Sequence, residues 1–182
     1  RRYILMTKNV SGMDVPGALR GDVYIKMFVF YSKSADKAPG KGVREIGGNY
    51  EELKRCKDWR KKLSNFWMSE FEVDGVKWKS VEHYYQASKF RNGKRELYDK
   101  IRGSESALDA KRLGGKKNKC DDDFFVSGRC DEEMYRAQYA KFTQNEELRS
   151  MLKATGSAEL WHYMRGGKLV RFSGLEKIRD GL

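Results

Sequence analysis

Two neighbouring stretches, Leu63-Ser-Asn-Phe-Trp67 and Trp78-Lys-Ser-Val-Glu-His-Tyr-Tyr-Gln-Ala-Ser-Lys-Phe90, place a carboxylate, an imidazole, amides and an amine among aromatic rings. Between them Phe71-Glu-Val alternates in polarity, Asp74-Gly75 is a type I′ turn signal, and Val76-Lys-Trp78 alternates back, which predicts a hairpin of two short strands. Ser80 then reads as an N-cap, and the period changes to helical over about 81–91, with Glu82 in the first turn where the helix dipole favours an anion. On that helix Glu82, Gln86 and Lys89 fall at i, i+4 and i+7, close to one stripe with Tyr85 beside them, while Val81, Tyr84 and Ser88 form the neighbouring stripe. The polar stripe has two readings: a water-facing surface in which Gln86 bridges two charges, or the wall of a site. His83 likewise reads either as a hydrogen-bonded core histidine or as a residue supporting that site.

Working outward, a helix is expected over 49–62 with Tyr50, Leu53, Cys56 or Lys57, and Trp59 on its buried side. Others are expected at about 94–102 and at 105–113, the latter ended by Gly114-Gly115. The stretch 131–154 reads as one long helix, N-capped by Asp131 with Glu132 and Glu133 in its first turn and stopped near Gly156. Along it Lys141 and Asn145 interrupt a core-like stripe of Met134, Ala137 and Leu148, so each either serves packing and capping or belongs to a site. A strand is expected within Gly21 to Ser32, followed by a loop of small residues from Ser34 to Gly42. The fold class that follows is mainly α, an α+β arrangement with a few short strands: residues 1–20 form an N-terminal arm and residues 21–182 one compact domain.

The 38 Lys and Arg against 26 Asp and Glu leave a formal charge of +12, a surface that attracts polyanions with strong salt dependence. The basic residues gather at Lys54–Lys62, Lys111–Lys119 and Arg165–Lys177, with Trp59, Trp67 and Trp161 in or beside them. Such interleaving suits phosphate contact with base stacking, and it equally suits a solubilising surface. No apolar run approaches the length of a membrane span. Cys56, Cys120 and Cys130 are odd in number and unpaired by spacing, and only His83 and His162 accompany them, which argues against a zinc site and for free thiols in a reducing, intracellular compartment, cytoplasmic or nuclear. Asp121-Asp-Asp123 reads as a solvated turn rather than a metal site, and no metal or cofactor is expected.

Leu63-Ser-Asn-Phe66, Trp78 and Glu82-His-Tyr-Tyr-Gln-Ala-Ser-Lys-Phe90 resemble the first signature of the NADAR (YbiA-like) family, and Ala137-Gln-Tyr-Ala-Lys-Phe-Thr-Gln-Asn145 with Leu148, Leu152, Thr155 and Gly156 resembles its second. The resemblance runs from about Tyr24 to the C-terminus. It implies a mainly helical domain that cleaves N-glycosidic bonds to ribose in nucleotide-derived substrates. Some members resemble hydrolases of early riboflavin-pathway intermediates; others resemble enzymes that remove ADP-ribose from guanine and reverse a DarT-like ADP-ribosyltransferase, in a repair or toxin–antitoxin setting. Phe30-Tyr-Ser32, Pro39-Gly-Lys-Gly42, Glu45, Trp59-Arg60, Gly114-Gly-Lys116 with Lys119, and Leu160-Trp-His162 with Arg165-Gly166 resemble the second branch. Riboflavin-type members carry an acidic residue and a Trp-Gly pair near the C-terminus, where this chain has Trp161-His162 and Met164-Arg-Gly-Gly-Lys168. The expected substrate is therefore ADP-ribosylated guanine in DNA, RNA or a free nucleotide, with a small ribosylated metabolite, or a non-catalytic ADP-ribose or RNA reader, as alternatives.

Breaking a ribose C1′–N bond passes through an oxocarbenium-like state. Glu82 is the candidate to stabilise that cation or activate the nucleophile, and Lys89 to hold the pyrophosphate or, as an amine of lowered pKa, to attack C1′ through a Schiff base. Asn65 is a candidate for ribose hydroxyls or a base edge, Phe66 and Trp67 for stacking, and Gly40-Lys41-Gly42 either for a phosphate nest or for a plain turn. Glu45, Trp78, His83, Tyr85, Gln86, Lys141, Asn145 and His162 complete the expected substrate-binding set, the last with Arg165 as an alternative contact.

Overall fold

The computed structural model describes residues 26–41, 44, 45, 48–164 and 166–182. In them the chain runs β1 (Met27–Phe30), α1 (Glu51–Arg55), α2 (Trp59–Leu63), β2 (Phe71–Val73), β3 (Val76–Trp78), α3 (Val81–Ser88), α4 (Arg95–Gly103), α5 (Ala107–Leu113), α6 (Arg129–Gln144), α7 (Glu146–Ala154), β4 (Glu159–Tyr163), β5 (Leu169–Arg171) and α8 (Ser173–Asp180). The expected arm at 1–20, the first residues of the expected strand from Gly21, Gly42 and Arg165 lie outside the described residues.

The hairpin β2–β3 forms as read, with Phe71 opposite Trp78 and positive φ at both Asp74 and Gly75, the backbone that a type I′ turn requires. The Ser80 Oγ accepts the His83 N–H and caps α3. At the other end of the molecule β1 pairs in parallel with β4, Met27 opposite Glu159 through Phe30 opposite His162, and β5 runs antiparallel along the far side of β4. A parallel pair needs a long crossover, and here the whole helical body between these strands is that crossover.

Two cores result. Phe28 and Phe30 point from β1 into the first, where they meet Leu53, Trp59, Leu63, Phe142, Leu152, Leu160 and Ile178. The second surrounds α3 and holds Phe71, Trp78, Val81, Tyr84, Ala87, Phe90, Ile101, Ala110, Ala137 and Ala140. α6 supplies Phe142 to one and Ala137 and Ala140 to the other, so it is the spine between them. It is fastened to α3 by Glu133, which accepts the Tyr84 hydroxyl proton and pairs with Arg91 at 2.8 Å.

Three expectations are corrected. The helix over 49–62 is two short helices, broken at Asp58, whose φ is +56°. Trp59 lies nine residues after Tyr50, about two and a half turns, and would face away from it on a continuous helix. The break brings Tyr50, Leu53 and Trp59 all into the core and leaves Lys57 exposed. The long helix over 131–154 is likewise two, divided at Asn145, which is extended and whose Oδ1 accepts the Leu148 N–H at 3.0 Å to cap α7. α6 also starts earlier than Asp131, at Gly128 with φ +82°, because Arg129 is drawn in by Asp121 at 2.9 Å, Asp123 at 2.8 Å and the Ser88 carbonyl. That same cluster corrects the solvated-turn reading of Asp121-Asp-Asp123 at its first residue: Asp121 is enclosed and also accepts the Asn92 N–H at 3.1 Å, while Asp122, paired with Lys119, and Asp123 are exposed. Among the described residues no group of His, Cys, Asp or Glu is arranged to hold a metal ion, and no helix is long and apolar enough to cross a membrane.

Candidate active site

The polar stripe of α3 does not face water. Glu82 and Gln86 are each 6% exposed. The Gln86 amide donates to Glu82 Oε1 at 2.8 Å, and Lys89 Nζ donates to Gln86 Oε1 at 2.6 Å and to the Gly114 carbonyl at 3.2 Å. Carboxylate, amide and ammonium thus form one hydrogen-bonded line, and the solvated-face reading of this stripe is overturned by its burial. Burial raises the Glu82 carboxyl above its ordinary pKa, against the Gln86 hydrogen bond and the charges of Lys111 and Lys89. Burial also lowers the Lys89 ammonium, against the attraction of Glu82. A carboxyl pushed up in line with an amine pushed down is the kind of pairing that proton and charge work at a site calls for.

Aromatic groups wall this line. Tyr85 sits 5.3 Å from Lys89 Nζ, and its hydroxyl is pushed up to about 12 by burial. Tyr85 rests edge-on against buried Phe124, and the adjoining Phe125, 59% exposed, comes within 5.9 Å of the same amine. On the other side Phe66 lies beneath Lys111 Nζ at 5.1 Å. The Phe66 segment is pinned to α3 by the Glu82 N–H, which donates to the Asn65 carbonyl at 3.0 Å. His162 approaches from β4, stacked on Phe172 at 5.0 Å, and burial followed by the Lys111 charge holds its imidazole below the ordinary value.

Of the expected site residues, the structure therefore brings Glu82, Tyr85, Gln86, Lys89, Phe66 and His162 together around Lys111. Others are committed elsewhere. Trp78 is 2% exposed in the second core, edge-on to Tyr84 and Tyr98. His83 is fully buried on another face of α3, its ring bonded to Ser80 Oγ and the Ser104 carbonyl, so it is a structural histidine. Trp67 packs against the sheet-side core with Lys62 above its ring. Glu45 is buried, binding Arg60 at 2.8 Å and the Gly40 N–H at 3.0 Å, which closes that loop as a turn. Lys41 is exposed. Asn145 is the cap of α7.

Asn65 and Lys141 act from behind. The Asn65 side chain accepts from Gln138 at 3.0 Å and donates to Met134 Sδ, so both ends of its amide are held by α6. Lys141 is fully buried, and its ammonium donates to the Lys62 and Ser64 carbonyls at 2.6 and 2.9 Å, at the C-terminus of α2. Burial without a carboxylate partner depresses it to about 7. Both residues hold the turn that carries Phe66 rather than facing a ligand. Open hollows in the surface, one over the start of α4 and one beside the hairpin, contain none of the α3 groups.

Three contributors stand outside the expected site set: Lys111, read only as part of a basic cluster, Gly114, read as a helix stop and a branch feature, and Phe125. The signal for the first two is a helical one, since i and i+3 share a face and α5 lies against α3. A side chain at Gly114 would collide with Gln86, its Cβ falling 2.1 Å from Oε1.

A family model described as NADAR domain matches residues 54–167, a span that holds every group of this site. The chain belongs to the NADAR family. It is 38% identical over 98 residues to the N-glycosidase YbiA of Escherichia coli (strain K12), covering 54% of this chain and 59% of that protein. It is 37% identical over 98 residues to the riboflavin biosynthesis protein VVA0006 of Vibrio vulnificus (strain YJ016), of which the match covers 26%. The match thus spans less than two thirds of the curated relatives' length. The NMR structure of E. coli YbiA shares this NADAR fold, with a TM-score of 0.63 at 25% identity over 87% of this chain and 86% of that one.

Proposed function

We propose that this chain is an N-glycosidase that hydrolyses the bond between ADP-ribose and guanine, in nucleic acid or in a nucleotide. The observation that carries the proposal is the enclosed Glu82–Gln86–Lys89 line with its raised carboxyl and lowered amine. As the C1′–N bond lengthens, positive charge grows on the ribose, and a carboxylate held among aromatic rings stabilises it far better than water does. The base leaves with the bonding pair and takes up a proton, and water supplies hydroxyl to C1′. Lys89 either binds the substrate's phosphates or attacks C1′ itself and yields to water through a Schiff base with the opened ribose. The relatives named N-glycosidase support the reaction class. The formal charge of +12 and the resemblance to the guanine branch support the substrate.

A second reading, cleavage of a small ribosylated metabolite, is favoured by the likeness to the Vibrio riboflavin biosynthesis protein. The two separate in one experiment. The protein is incubated with an oligonucleotide carrying ADP-ribose on guanine and, in parallel, with a phosphoribosylated riboflavin-pathway intermediate, and products are followed by mass spectrometry. Release of ADP-ribose with restoration of guanine is expected; an intact oligonucleotide beside a cleaved metabolite would overturn the guanine assignment.

A further inference from the structure

A single exposed phenylalanine needs no explanation, but Phe125 is 59% exposed on a loop that is fixed from both ends. The Asp121 N–H donates to the Lys89 carbonyl at 2.8 Å, and the Asp121 carboxylate takes the Asn92 N–H at 3.1 Å. Arg129 closes the loop from its other end, bound to Asp121 at 2.9 Å and to Asp123 at 2.8 Å, with its guanidinium 5.2 Å from the Phe124 ring. The Cys130 N–H also returns to the Phe124 carbonyl at 3.0 Å. Phe124 is fully buried, and its ring meets Phe125 edge-on at 5.0 Å. One ring is thus anchored in the fold and holds the next one out in water. Phe125 lies 5.9 Å from the Lys89 ammonium, at one end of the Glu82–Gln86–Lys89 line. Of the other rings around that line, Tyr85 and Phe66 are half-buried and Phe66 is covered by Lys111, whereas Phe125 is exposed.

We infer that Phe125 is a specificity-determining residue of the site, a platform on which the planar heteroaromatic base of the substrate stacks. The inference rests on the N-glycosidase reading, which sets the ribose C1′ along the Glu82–Gln86–Lys89 line and so brings the base, bonded through nitrogen to C1′, within reach of the rings around it. A π face accepts any base but gains most from a large one, so a purine is favoured over a pyrimidine, and a non-aromatic substituent gains least. The anchored loop contributes to affinity, because a ring already held in place loses little freedom when a base stacks on it. Val126, 84% exposed beside Phe125, extends the apolar shelf. Selection by the platform acts on the leaving base and is separate from the groups that act on the sugar.

The test uses 2-aminopurine riboside as the probe, a fluorescent purine nucleoside without charge, so that phosphate binding does not enter. Wild type, Phe125→Ala, Phe125→Leu, Phe125→Trp and the control Tyr139→Ala on α6 are titrated into it and its emission is followed. Wild type, Phe125→Trp and Tyr139→Ala should bind comparably, and Phe125→Ala at least about fivefold more weakly, the smallest loss expected when a stacking ring is removed. Phe125→Leu keeps apolar bulk without the π face and should fall with Phe125→Ala. Equal binding by wild type and Phe125→Ala, full binding by Phe125→Leu, or no binding by the wild type at sub-millimolar protein would overturn the platform. In a second arm Phe125→Ala should lower kcat/KM on a purine N-riboside at least about fivefold and Phe125→Trp should restore it, and an unchanged kcat/KM in Phe125→Ala would overturn the platform equally. Should the wild type cleave no N-riboside while purine binding still depends on Phe125, the platform stands and the glycosidase reading falls.

Discussion

Gly114→Ala is a small change with a calculable consequence. The backbone at Gly114 has φ −80° and ψ 8°, open to any residue, so no conformational strain attends the substitution. What decides the outcome is contact: the new methyl would fall 2.1 Å from Gln86 Oε1, 2.9 Å from its Cδ and 2.8 Å from its Cβ. The amide oxygen can swing aside, but Cβ is fixed to α3, so α5 must move away by several tenths of an ångström. Overpacking of this kind costs about 1–3 kcal/mol. For a chain of this size each kcal/mol lowers Tm by roughly 2–4 °C, so a fall of about 2–12 °C is expected by calorimetry. The displaced amide also loses its bonds to Glu82 and Lys89, of 2.8 and 2.6 Å, and turnover should fall more steeply than stability. Gln86→Ala alone removes the same two bonds without the clash, so it should share the loss of turnover with a smaller drop in Tm. A Gly114→Ala protein with unchanged Tm and full turnover would refute the close approach of α5 to α3.

Further outcomes follow from single residues. Lys141, with a folded pKa near 7 against 10.5 unfolded, binds fewer protons in the native state between those values, so its contribution to stability rises with pH across that window and its charge penalty is complete below it. Denaturant unfolding should therefore show Lys141→Met losing more against the wild type near pH 9.5, where the bonds to the Lys62 and Ser64 carbonyls are lost with less charge penalty to relieve, than at pH 6.5. Glu82 has the opposite sign: a raised carboxyl binds more protons folded than unfolded, so its penalty grows as pH rises above about 4.5, and Glu82→Gln should raise Tm at pH 7 with the gain vanishing below pH 4. Asn145→Ala removes the cap of α7 and should cost about 1 kcal/mol by denaturant unfolding while leaving turnover unchanged, since that side chain faces α7.

What could be read from the sequence was local chemistry. The hairpin, the Ser80 cap and the Glu82–Gln86–Lys89 stripe each depend on neighbours within a few residues, and each appears in place. Both helix breaks occur at non-glycine residues, Asp58 and Asn145, that ordinary helical patterns tolerate, and they are imposed by the need to bury Trp59 and to turn α7 against the sheet-side core. The pairing of β1 with β4 joins segments more than a hundred residues apart, beyond any periodicity. The same limit applies to the site. Glu82 and Lys89 declare themselves on one helix, whereas Lys111 arrives from α5 and His162 from β4. His83 and Trp78, next to the catalytic candidates in sequence, point into the fold because a helix or strand turns alternate residues to different sides.

The most direct test of the account is single-turnover cleavage of an ADP-ribosyl-guanine oligonucleotide by the wild type, Glu82→Gln and Lys89→Ala, with binding of each protein measured separately. Turnover by the wild type, a loss of at least a hundredfold in Glu82→Gln with binding retained, and a loss in Lys89→Ala are the predicted results. Undiminished cleavage by Glu82→Gln would contradict it, since the buried carboxylate could then be neither the charge stabiliser nor the base.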